Sequence, residues 1–337
     1  MALILERPDT SANAGISTFT CPSMKVKTPS SSAPSRLGQL GESDLRMLKV
    51  FKAVADCGGM AAAELELNVG TSTISRQIKD LETRLGLTLC RRGRAGFALT
   101  VEGQRIYEET MRLLSAVDAF RSGVDDIHQR MGGRLEIGLF DKTATNPKAR
   151  IGEAIASFVE RAPEVTLQIQ IGTINAIERQ LIDGSLHVGI IPAHRSSESL
   201  AYDPLFDETM LLYCGTGHPL FEGRNTGLDW KGLRAHRFAG LGYHSPNMEA
   251  SHRAGLRRAA TGLDQEAIAT LILSGRFLGF LPDHYGRIFE EGGRMRPVRK
   301  SMFRYDCGFV CVMRRSPAPS RAALAFREAL LQAHGAA

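Results

Sequence analysis

The sequence lacks the patterns that define the common enzyme, membrane and exported classes. It has no glycine-rich nucleotide loop of the G-x-G-x-x-G or P-loop type, no H-E-x-x-H and no G-x-S-x-G. No apolar run reaches the roughly 20 residues that a membrane-spanning helix needs, and no basic-then-apolar signal opens the chain. We therefore expect a cytoplasmic protein with no membrane partner and no catalytic site.

Metal-binding patterns are also missing. The six cysteines are scattered, and none stands in a C-x-x-C or Cys/His metal spacing. They are typical of reduced thiols, and we expect no metal site. Cys307 and Cys311 lie four residues apart in one strand pattern, which indicates two buried apolar thiols. A redox pair is the alternative.

Composition indicates a globular protein with ample core. The 337 residues suggest two or three domains, and 43% are hydrophobic and 23% charged. The net charge of +6 permits nucleic-acid binding without being evidence for it. Residues 1–41 are poor in aromatics and rich in Ser, Thr, Pro and Gly, which predicts a disordered tail. An over-extended gene start, with Met24 as the initiator, is the alternative.

Two helical patterns meet at a short turn between residues 60 and 86. The first has one apolar face and is broken at Asn68-Val69-Gly70. Thr71 is a suitable N-cap for the second helix, and Gly86 is placed to end it. An earlier helix, which Ser43 can cap, is stopped by Cys57-Gly58-Gly59. The apolar stripe of the second helix of the pair consists of Ile74, Ile78, Leu81 and Leu85.

The opposite face of this second helix is small, polar and basic, as a recognition helix needs. Slim side chains allow a helix to approach base edges, whereas Arg and Lys reach phosphates. Three arginines follow at a glycine-bearing turn, which suits a wing on the DNA backbone. An ordinary helical hairpin with a solvated face is the alternative. The predicted DNA contacts are Thr71, Ser72 and Thr73 at base edges, with Ser75, Arg76, Lys79, Arg91, Arg92 and Arg94.

The run from Thr71 to Leu89 and the Leu-Thr-x-x-Gly at residues 99–103 resemble the winged helix-turn-helix of LysR-type transcriptional regulators. Ser-Arg-Gln-Ile, Leu-Glu and Leu-Gly also stand in the spacing of that family. Three residues depart from it. Glu64 replaces a usual small Ala, Cys90 replaces a usual Phe, and Arg91 replaces a usual Glu, which makes the wing more basic.

A long helix is predicted after Thr100, which can cap it. Its apolar residues recur at alternating spacings of three and four residues, except that the polar Thr110 occupies one of these positions. This heptad seam is typical of a two-stranded coiled coil and favours dimerisation. A single amphipathic helix packed on its own domain is the alternative. The predicted seam consists of Ile106, Leu113, Val117, Phe120, Val124 and Ile127.

After Gly132-Gly133 the hydrophobic period changes. Residues 135–191 show a strand–helix–strand–helix–strand pattern, and the later half of the chain shows the same alternation of strands and helices. This alternation predicts a parallel α/β sheet with right-handed crossovers. Segments such as Gly217-His-Pro-Leu220 and Leu278-Gly-Phe-Leu-Pro282 resemble the effector-binding region of the LysR family. His187 departs from the usual Asp. The resemblance covers residues 43–333 and implies two subdomains of periplasmic-binding-protein type, joined by two crossing strands.

The predicted fold is an α+β winged helix-turn-helix, then a long linker helix, then a periplasmic-binding-protein-like (type 2) α/β effector domain. The predicted domains are a tail at 1–41, the winged helix-turn-helix at 42–101, the linker and dimerisation helix at 102–131, and the effector domain at 132–337, with subdomain I at about 132–204 plus 305–337 and subdomain II at about 205–304.

Ligands of open α/β sheets bind beyond the carboxyl ends of strands and at helix N-termini. Residues 141–146 follow the first strand, and Thr173 follows the second and opens a helix. The resemblance implies that Thr173 and one of Thr143 or Thr145 contact the effector. Hydroxyls beside helix N–H groups suit a small anion such as an organic acid. Thr173 as a mere helix cap is the alternative. The predicted effector contacts are Thr143, Thr145, Thr173, Tyr243 and His244.

The resemblance implies a DNA-binding transcriptional regulator without a resident cofactor. Its partners are expected to be double-stranded promoter DNA and further copies of itself, as a dimer or tetramer, and a contact with RNA polymerase is open. A small-molecule effector in the α/β cleft would modulate transcription. A metabolic enzyme with an appended helical domain and a periplasmic-type solute binder are the rivals. The absent motifs and the basic wing oppose them, and His218 and His244 are isolated, as surface or capping histidines are.

Overall fold

The computed structural model describes residues 38–93, 96–128, 131–223 and 225–335, so the predicted tail lies outside the described residues. The chain begins with three helices and a two-stranded hairpin, followed by one long helix. These elements are α1 (Glu42–Asp56), α2 (Met60–Leu67), α3 (Thr71–Leu85), β1 (Cys90–Gly93), β2 (Gly96–Leu99) and α4 (Val101–Ile127).

Helices α1 to α3 each contribute one apolar face to a common core. Ile74, Ile78 and Leu81 of α3 are buried against Phe51 and Val54 of α1. The predicted breaks are confirmed. Helix α1 ends before the Cys57-Gly58-Gly59 turn, α2 ends at a left-handed Asn68, and α3 ends at a left-handed Gly86. The helix-turn-helix therefore follows from the spacing of its apolar residues and its breakers.

Two of the predicted N-caps are wrong. Helix α1 starts one residue before Ser43, with Gly41 as N-cap, and the Asp44 carboxylate accepts a hydrogen bond from the Gly41 amide at 2.9 Å. Helix α3 has Gly70 as N-cap, and the hydroxyl of Thr71 donates to the Glu64 carboxylate instead. A carboxylate is a stronger acceptor than a neutral group, so Glu64 draws the Thr71 side chain away from the helix end.

Polar side chains fix the wing and α4 to α3. The Glu82 carboxylate accepts hydrogen bonds from the amides of Leu89 at 2.7 Å and Cys90 at 3.2 Å. Thr100 caps α4 as predicted, since its hydroxyl oxygen accepts from the Gly103 amide at 2.8 Å. The recognition helix, the wing strand β1 and the linker helix are thus held as one unit.

The effector domain is built on one mixed sheet. Its strands are β3 (Gly133–Leu139), β4 (Val165–Ile171), β5 (Val188–Pro192), β6 (Leu200–Gly215), β7 (Phe238–Leu241), β8 (Arg258–Gly262), β9 (Leu278–Pro282), β10 (Met295–Pro297) and β11 (Arg304–Arg314). They lie in the order β4-β3-β5-β11-β6-β9-β7-β8, with β10 paired to β6.

Strands β6 and β11 cross from one half of this sheet to the other. They pair antiparallel, from Leu200 opposite Arg314 to Leu211 opposite Arg304. The two crossing strands that the family resemblance implied are therefore present. Strand β6 is much longer than the pattern at 210–214 predicts, because its first half is partly exposed and mixes polar with apolar residues.

Helices cover both halves of the sheet. Strands β7 and β8 and several helices of the second half were not predicted, since they are short and weakly periodic. The helix through Ile268, Leu271 and Ile272 was predicted and is present. The helices are α5 (Ile151–Arg161), α6 (Ile174–Asp183), α7 (Trp230–Leu233), α8 (Pro246–Arg253), α9 (Gln265–Leu273), α10 (Asp283–Glu291) and α11 (Arg321–Ala333), with one 3-10 turn at Thr143–Thr145. Among the described residues, no helix has both the length and the apolar content to cross a membrane.

Two side-chain interpretations change. Cys307 and Cys311 are buried as predicted, but they stand four residues apart on β11, about 13 Å between Cα atoms. A disulfide needs Cα atoms within about 7 Å, so the redox-pair alternative is wrong for these two thiols. His218 is not a surface histidine: it is 5% exposed, and its Nδ1 accepts from the Leu220 amide at 3.2 Å.

Gly103 tests the junction between the wing and α4. A Cβ at this position would collide with the backbone carbonyl of Leu89, which the wing cannot move without losing the Glu82 hydrogen bonds. We expect Gly103→Ala to destabilise the winged domain by about 1–3 kcal/mol, as overpacking does. Gly123 lies on the same helix with open space around it, so Gly123→Ala should stabilise by about 0.5–1 kcal/mol through helix propensity. Urea unfolding of both variants measures this, and equal stabilities would contradict it.

Candidate nucleic-acid interface and effector site

Helix α3 presents a polar and basic face to solvent. Ser72, Arg76 and Lys79 are exposed, and Thr73 and Ser75 are half-buried. The buried face of the same helix is held by the core, so these side chains keep one orientation relative to the wing. The face has the size and charge that a DNA groove requires.

The wing adds further basic residues beside this helix. Arg91 is exposed on β1, where it pairs with Ala98 of β2. Arg92 pairs with Phe97 in the same hairpin, and Arg94 lies outside the described residues. Thr71 is placed at the start of α3, with its hydroxyl engaged by Glu64. The structure therefore brings the described predicted DNA contacts to one end of the domain.

The arginines and lysine of α3 separate into two kinds. Arg84 is exposed but donates to the buried Asp44 carboxylate at 2.9 Å, and so joins the start of α1 to the end of α3. The Gly41 amide and Arg84 hold the pKa of Asp44 below its usual range. Arg76 and Lys79, in contrast, form no ion pair with any described acidic side chain. These two cations are available to a polyanion.

A cleft lies between the two halves of the effector domain. As it stands, the cleft has a volume of about 20 Å³, room for about one water molecule. The ends of β3 and β5 and the start of α6 form one wall, the starts of α8 and α9 form the other, and β6 and β11 form the floor. The lining residues are Phe140, Ile174, Pro192, Glu208, Met210, Leu241, Ser245, Pro246, Asn247, Gln265, Tyr305 and Cys307.

Three threonines predicted as effector contacts are engaged by the protein itself. Thr173 caps α6, since its oxygen accepts from the Ala176 amide at 3.3 Å, and its neighbour Ile174 lines the cleft. Thr143 is buried. The Thr145 hydroxyl lies 3.0 Å from the Lys142 carbonyl and 2.8 Å from Nδ1 of His284. Their contact with an effector stays a prediction.

The two predicted contacts after β7 differ from each other. The Tyr243 hydroxyl is buried and has no hydrogen-bond partner among the described residues. His244 is exposed, with its Nε2 3.4 Å from the Glu249 carboxylate and its ring 5.6 Å from the ring of His194. The next residue, Ser245, caps α8 and lines the cleft. Tyr243 therefore has an unused polar group two residues before Ser245, whereas His244 is exposed.

The segment after β3 also holds the two halves together. The Asp141 carboxylate accepts from the Gln265 amide at 2.7 Å, and Lys142 Nζ lies 2.5 Å from the Glu266 carboxylate. Thr145 reaches His284, whose other ring nitrogen lies 2.8 Å from the Glu208 carboxylate on the cleft floor. A single short segment thus contacts the starts of both α9 and α10.

Sequence reasoning missed Asp141, Asn247 and Gln265. All three are at least nine-tenths buried. Asp141 Oδ1 and Gln265 Oε1 have no hydrogen-bond partner among the described residues. Burial raises the pKa of Asp141 to about 6. The signal was present: Asp141 stands two residues after the end of β3, and Gln265 is the first residue of a helix that Asp264 caps.

Helix-turn-helix, linker helix and two-lobed α/β domain together define a DNA-binding regulator with an attached sensory domain. The model of the family "Bacterial regulatory helix-turn-helix protein, lysR family" matches residues 45–104, and that of "LysR substrate binding domain" matches residues 128–335. The chain belongs to the LysR family of transcriptional regulators. It is a regulator and not an enzyme.

Known proteins agree with this assignment. The chain is 38% identical to the HTH-type transcriptional activator BauR of Pseudomonas aeruginosa over 87% of this chain and 96% of that protein. It is 31% identical to the probable HTH-type transcriptional regulator LrrA of Synechococcus elongatus, over 58% of this chain and 64% of that protein. The crystal structure of CbnR has a TM-score of 0.59 at 21% identity, covering 86% of this chain and 99% of that one. A full-length OxyR variant from Pseudomonas aeruginosa has a TM-score of 0.53 at 20% identity, covering 85% and 94%. These two structures show the same fold.

The raised pKa of Asp141 gives stability a pH dependence. A carboxyl whose pKa is about 6 in the folded protein and 3.8 ordinarily contributes stability below pH 4 that is lost as the pH rises through 6. Asp141→Asn removes this loss and keeps an acceptor for the Gln265 amide. We expect the variant to gain up to about 3 kcal/mol on the wild type between pH 4 and 7. Denaturant unfolding at several pH values measures the gain.

Asp229→Asn is the matched control for this titration. Asp229 is exposed and caps α7, a role that asparagine also fills. Its stability relative to the wild type should stay constant over the same pH range. A constant difference for Asp141→Asn as well would show that Asp141 does not titrate near pH 6.

Proposed function

We propose that this LysR regulator binds a two-fold promoter site as a homodimer, through α3 and the β1–β2 wing, and that a small molecule in the cleft changes the DNA-bound assembly. The DNA part of the proposal rests on Arg76 and Lys79 of α3. Both are exposed and form no ion pair with a described acidic side chain, and the opposite face of the helix is buried in the core. The proposal places the protein in the cytoplasm, where the promoter is. CbnR has been crystallised with its target DNA, which supports the same use of this fold.

Arg76 should contact phosphate and not a base. We expect Arg76→Ala to weaken binding to every DNA sequence and to lower the slope of log K against log salt concentration by about one. Fluorescence anisotropy with upstream DNA and with unrelated DNA, at several salt concentrations, measures both.

Arg112→Ala is the control, because this exposed arginine on α4 is paired with Glu109 and lies away from α3. It should leave the slope unchanged. If the Arg76→Ala protein keeps the wild-type slope, Arg76 does not contact a phosphate.

Dimerisation is supported by the second half of α4. Ile106 and Leu113 pack on the core of the winged domain, so the alternative of a helix on its own domain holds for the first half. Further along, Phe120 is 73% exposed, Val124 39% and Ile127 79%. Large apolar side chains that recur at three and four residues on an exposed helix mark a helix–helix contact. We propose that this stretch pairs two protomers, and that dimers can associate further into tetramers.

Charge at this surface should break the pair. We expect Phe120→Asp with Val124→Asp to convert dimers to monomers at micromolar concentration, because pairing would bury two unpaired carboxylates in each protomer. Sedimentation velocity measures the loss, and binding to two-fold sites should fall with it.

Val101→Asp is the control for this pair, since Val101 is 71% exposed at the other end of the same helix. It should remain dimeric. A doubly substituted protein that sediments like the wild type would locate the dimer contact elsewhere.

The effector part of the proposal is supported by the cleft. Its walls come from both halves of the sheet, so a ligand there would favour one relative position of the halves. Helix α4 also contacts the effector domain directly, since the Ser115 hydroxyl donates to the Gly184 carbonyl after α6. A shift at the cleft can therefore reach the helix that joins the DNA-binding domains. No resident cofactor forms part of the proposal.

A further inference from the structure

Polar atoms at the cleft and beside it have no partner in the folded chain. Asp141 Oδ1, Gln265 Oε1, the Tyr243 hydroxyl and Asn247 Nδ2 are buried without hydrogen-bond partners among the described residues, and Gln265 and Asn247 line the cleft. Buried polar atoms in native proteins nearly always have partners, so these atoms need partners from outside the chain.

Two of these atoms are acceptors on residues that contact each other. Asp141 uses Oδ2 to accept from the Gln265 backbone amide at 2.7 Å. Gln265 lines the cleft, and so does Phe140, the chain neighbour of Asp141. Two acceptors on contacting residues, without a donor among the described residues, call for a group that donates more than one hydrogen bond.

The other two atoms can donate. The Tyr243 hydroxyl lies within electrostatic range of Asp141, and Asn247 lines the cleft with Gln265. The Asn247 amide also interacts with the Tyr305 hydroxyl, although its nitrogen makes no hydrogen bond of normal distance and angle. Both groups would donate hydrogen bonds to an acceptor atom of the ligand.

The charges around Asp141 decide the sign of the ligand. Glu208 is 4% exposed on the floor, and the carboxylate of Asp264 also raises the pKa of Asp141. The neighbouring polar groups are already engaged. The Lys142 ammonium is held by Glu266 and lies 4.6 Å above the Tyr285 ring, and the His284 ring lies 2.8 Å from the Glu208 carboxylate. An anion beside Asp141 would therefore meet like charge, whereas a cation would meet its complement.

We propose that the effector is a small amine whose protonated nitrogen binds Asp141 and Gln265, while Tyr243 and Asn247 donate to an acceptor at its other end. This inference rests on the proposed function, because it specifies the ligand of the same cleft. It replaces the expectation of a simple organic acid. An ammonium group has three donors and no acceptor, which matches the two unpaired oxygens. The cleft has room for about one water molecule as it stands, so the amine would enter when the two halves separate.

A matched compound panel tests the charge preference. Straight chains of two to six carbons are used, each carrying an amine, a hydroxyl or a carboxylate at one end and a hydroxyl or carboxylate at the other. The melting temperature of the full-length protein is measured with each compound. We expect stabilisation by amine-bearing members and none by their amine-free counterparts. Absence of stabilisation by every amine in the panel overturns the proposal.

Variants locate the bound amine. Asp141→Asn should weaken the best amine at least tenfold by calorimetry, and Gln265→Met, which removes the second acceptor, should weaken it severalfold. Asp229→Asn removes the same charge from the exposed cap of α7, which does not line the cleft, and should stay within twofold of the wild type. If the amine binds Asp141→Asn and Gln265→Met as tightly as the wild type, it does not bind there and the proposal fails.

Failure of this inference can be told apart from failure of the proposed function. A compound with only carboxylates that stabilises the wild type, loses its effect in Tyr243→Phe and keeps it in Asp141→Asn would overturn the amine and leave the effector cleft in place. The affinity of the same sample for upstream DNA tests the DNA-binding part of the proposed function independently of the ligand.

Discussion

The antiparallel pair of β6 and β11 is the constraint on which the effector domain depends. The two strands run through the middle of the sheet, so both halves share them and neither half has a separate sheet. The pairing runs from Leu200 to Leu211 with one register shift, between Phe309 and Val310, so movement of the halves must bend these strands. The cleft floor lies on the same strands, at Glu208, Met210, Tyr305 and Cys307. A ligand there contacts the strands that join the two halves.

The segment at residues 141–145 opposes that movement from the other side of the cleft. Asp141, Lys142 and Thr145 reach α9 and α10 by hydrogen bonds and an ion pair. Of these, the Asp141 contact is the most strained electrostatically, because burial disfavours its charged form. A cationic ligand would relieve this cost and so favour the state in which the segment is docked. The Asp141 carboxylate thus links the charge of the ligand to the relative position of the two halves.

Much of the fold could be predicted from sequence because its signals are local. The stripe Ile74, Ile78, Leu81 and the breakers Asn68 and Gly86 define the helix-turn-helix without tertiary information. The caps at Thr100 and Thr173 were predictable for the same reason. The N-cap of α3 was not, since Thr71 is captured by Glu64 from the preceding helix, a contact that depends on how two helices pack.

The candidate effector site was predictable in place but not in chemistry. Strand ends and helix starts identify the region, and the loop that carries Tyr243 leads into its wall at Ser245. The carboxylate of Asp141 became a candidate only once its burial and its unpaired oxygen were visible, because both result from docking β3 against a helix 124 residues away. The hydroxyls of Thr145 and Thr173 looked available in sequence, yet the fold uses them for its own hydrogen bonds.

The central claim is that the cleft and the DNA-binding face are coupled through α4. Coupling is reciprocal, so DNA must change the affinity of the ligand by the same factor by which the ligand changes the affinity for DNA. The direct measurement is calorimetric titration of the best amine into the full-length protein, with and without saturating promoter DNA. The account predicts dissociation constants that differ by about fivefold or more. Equal constants in the two titrations would contradict it.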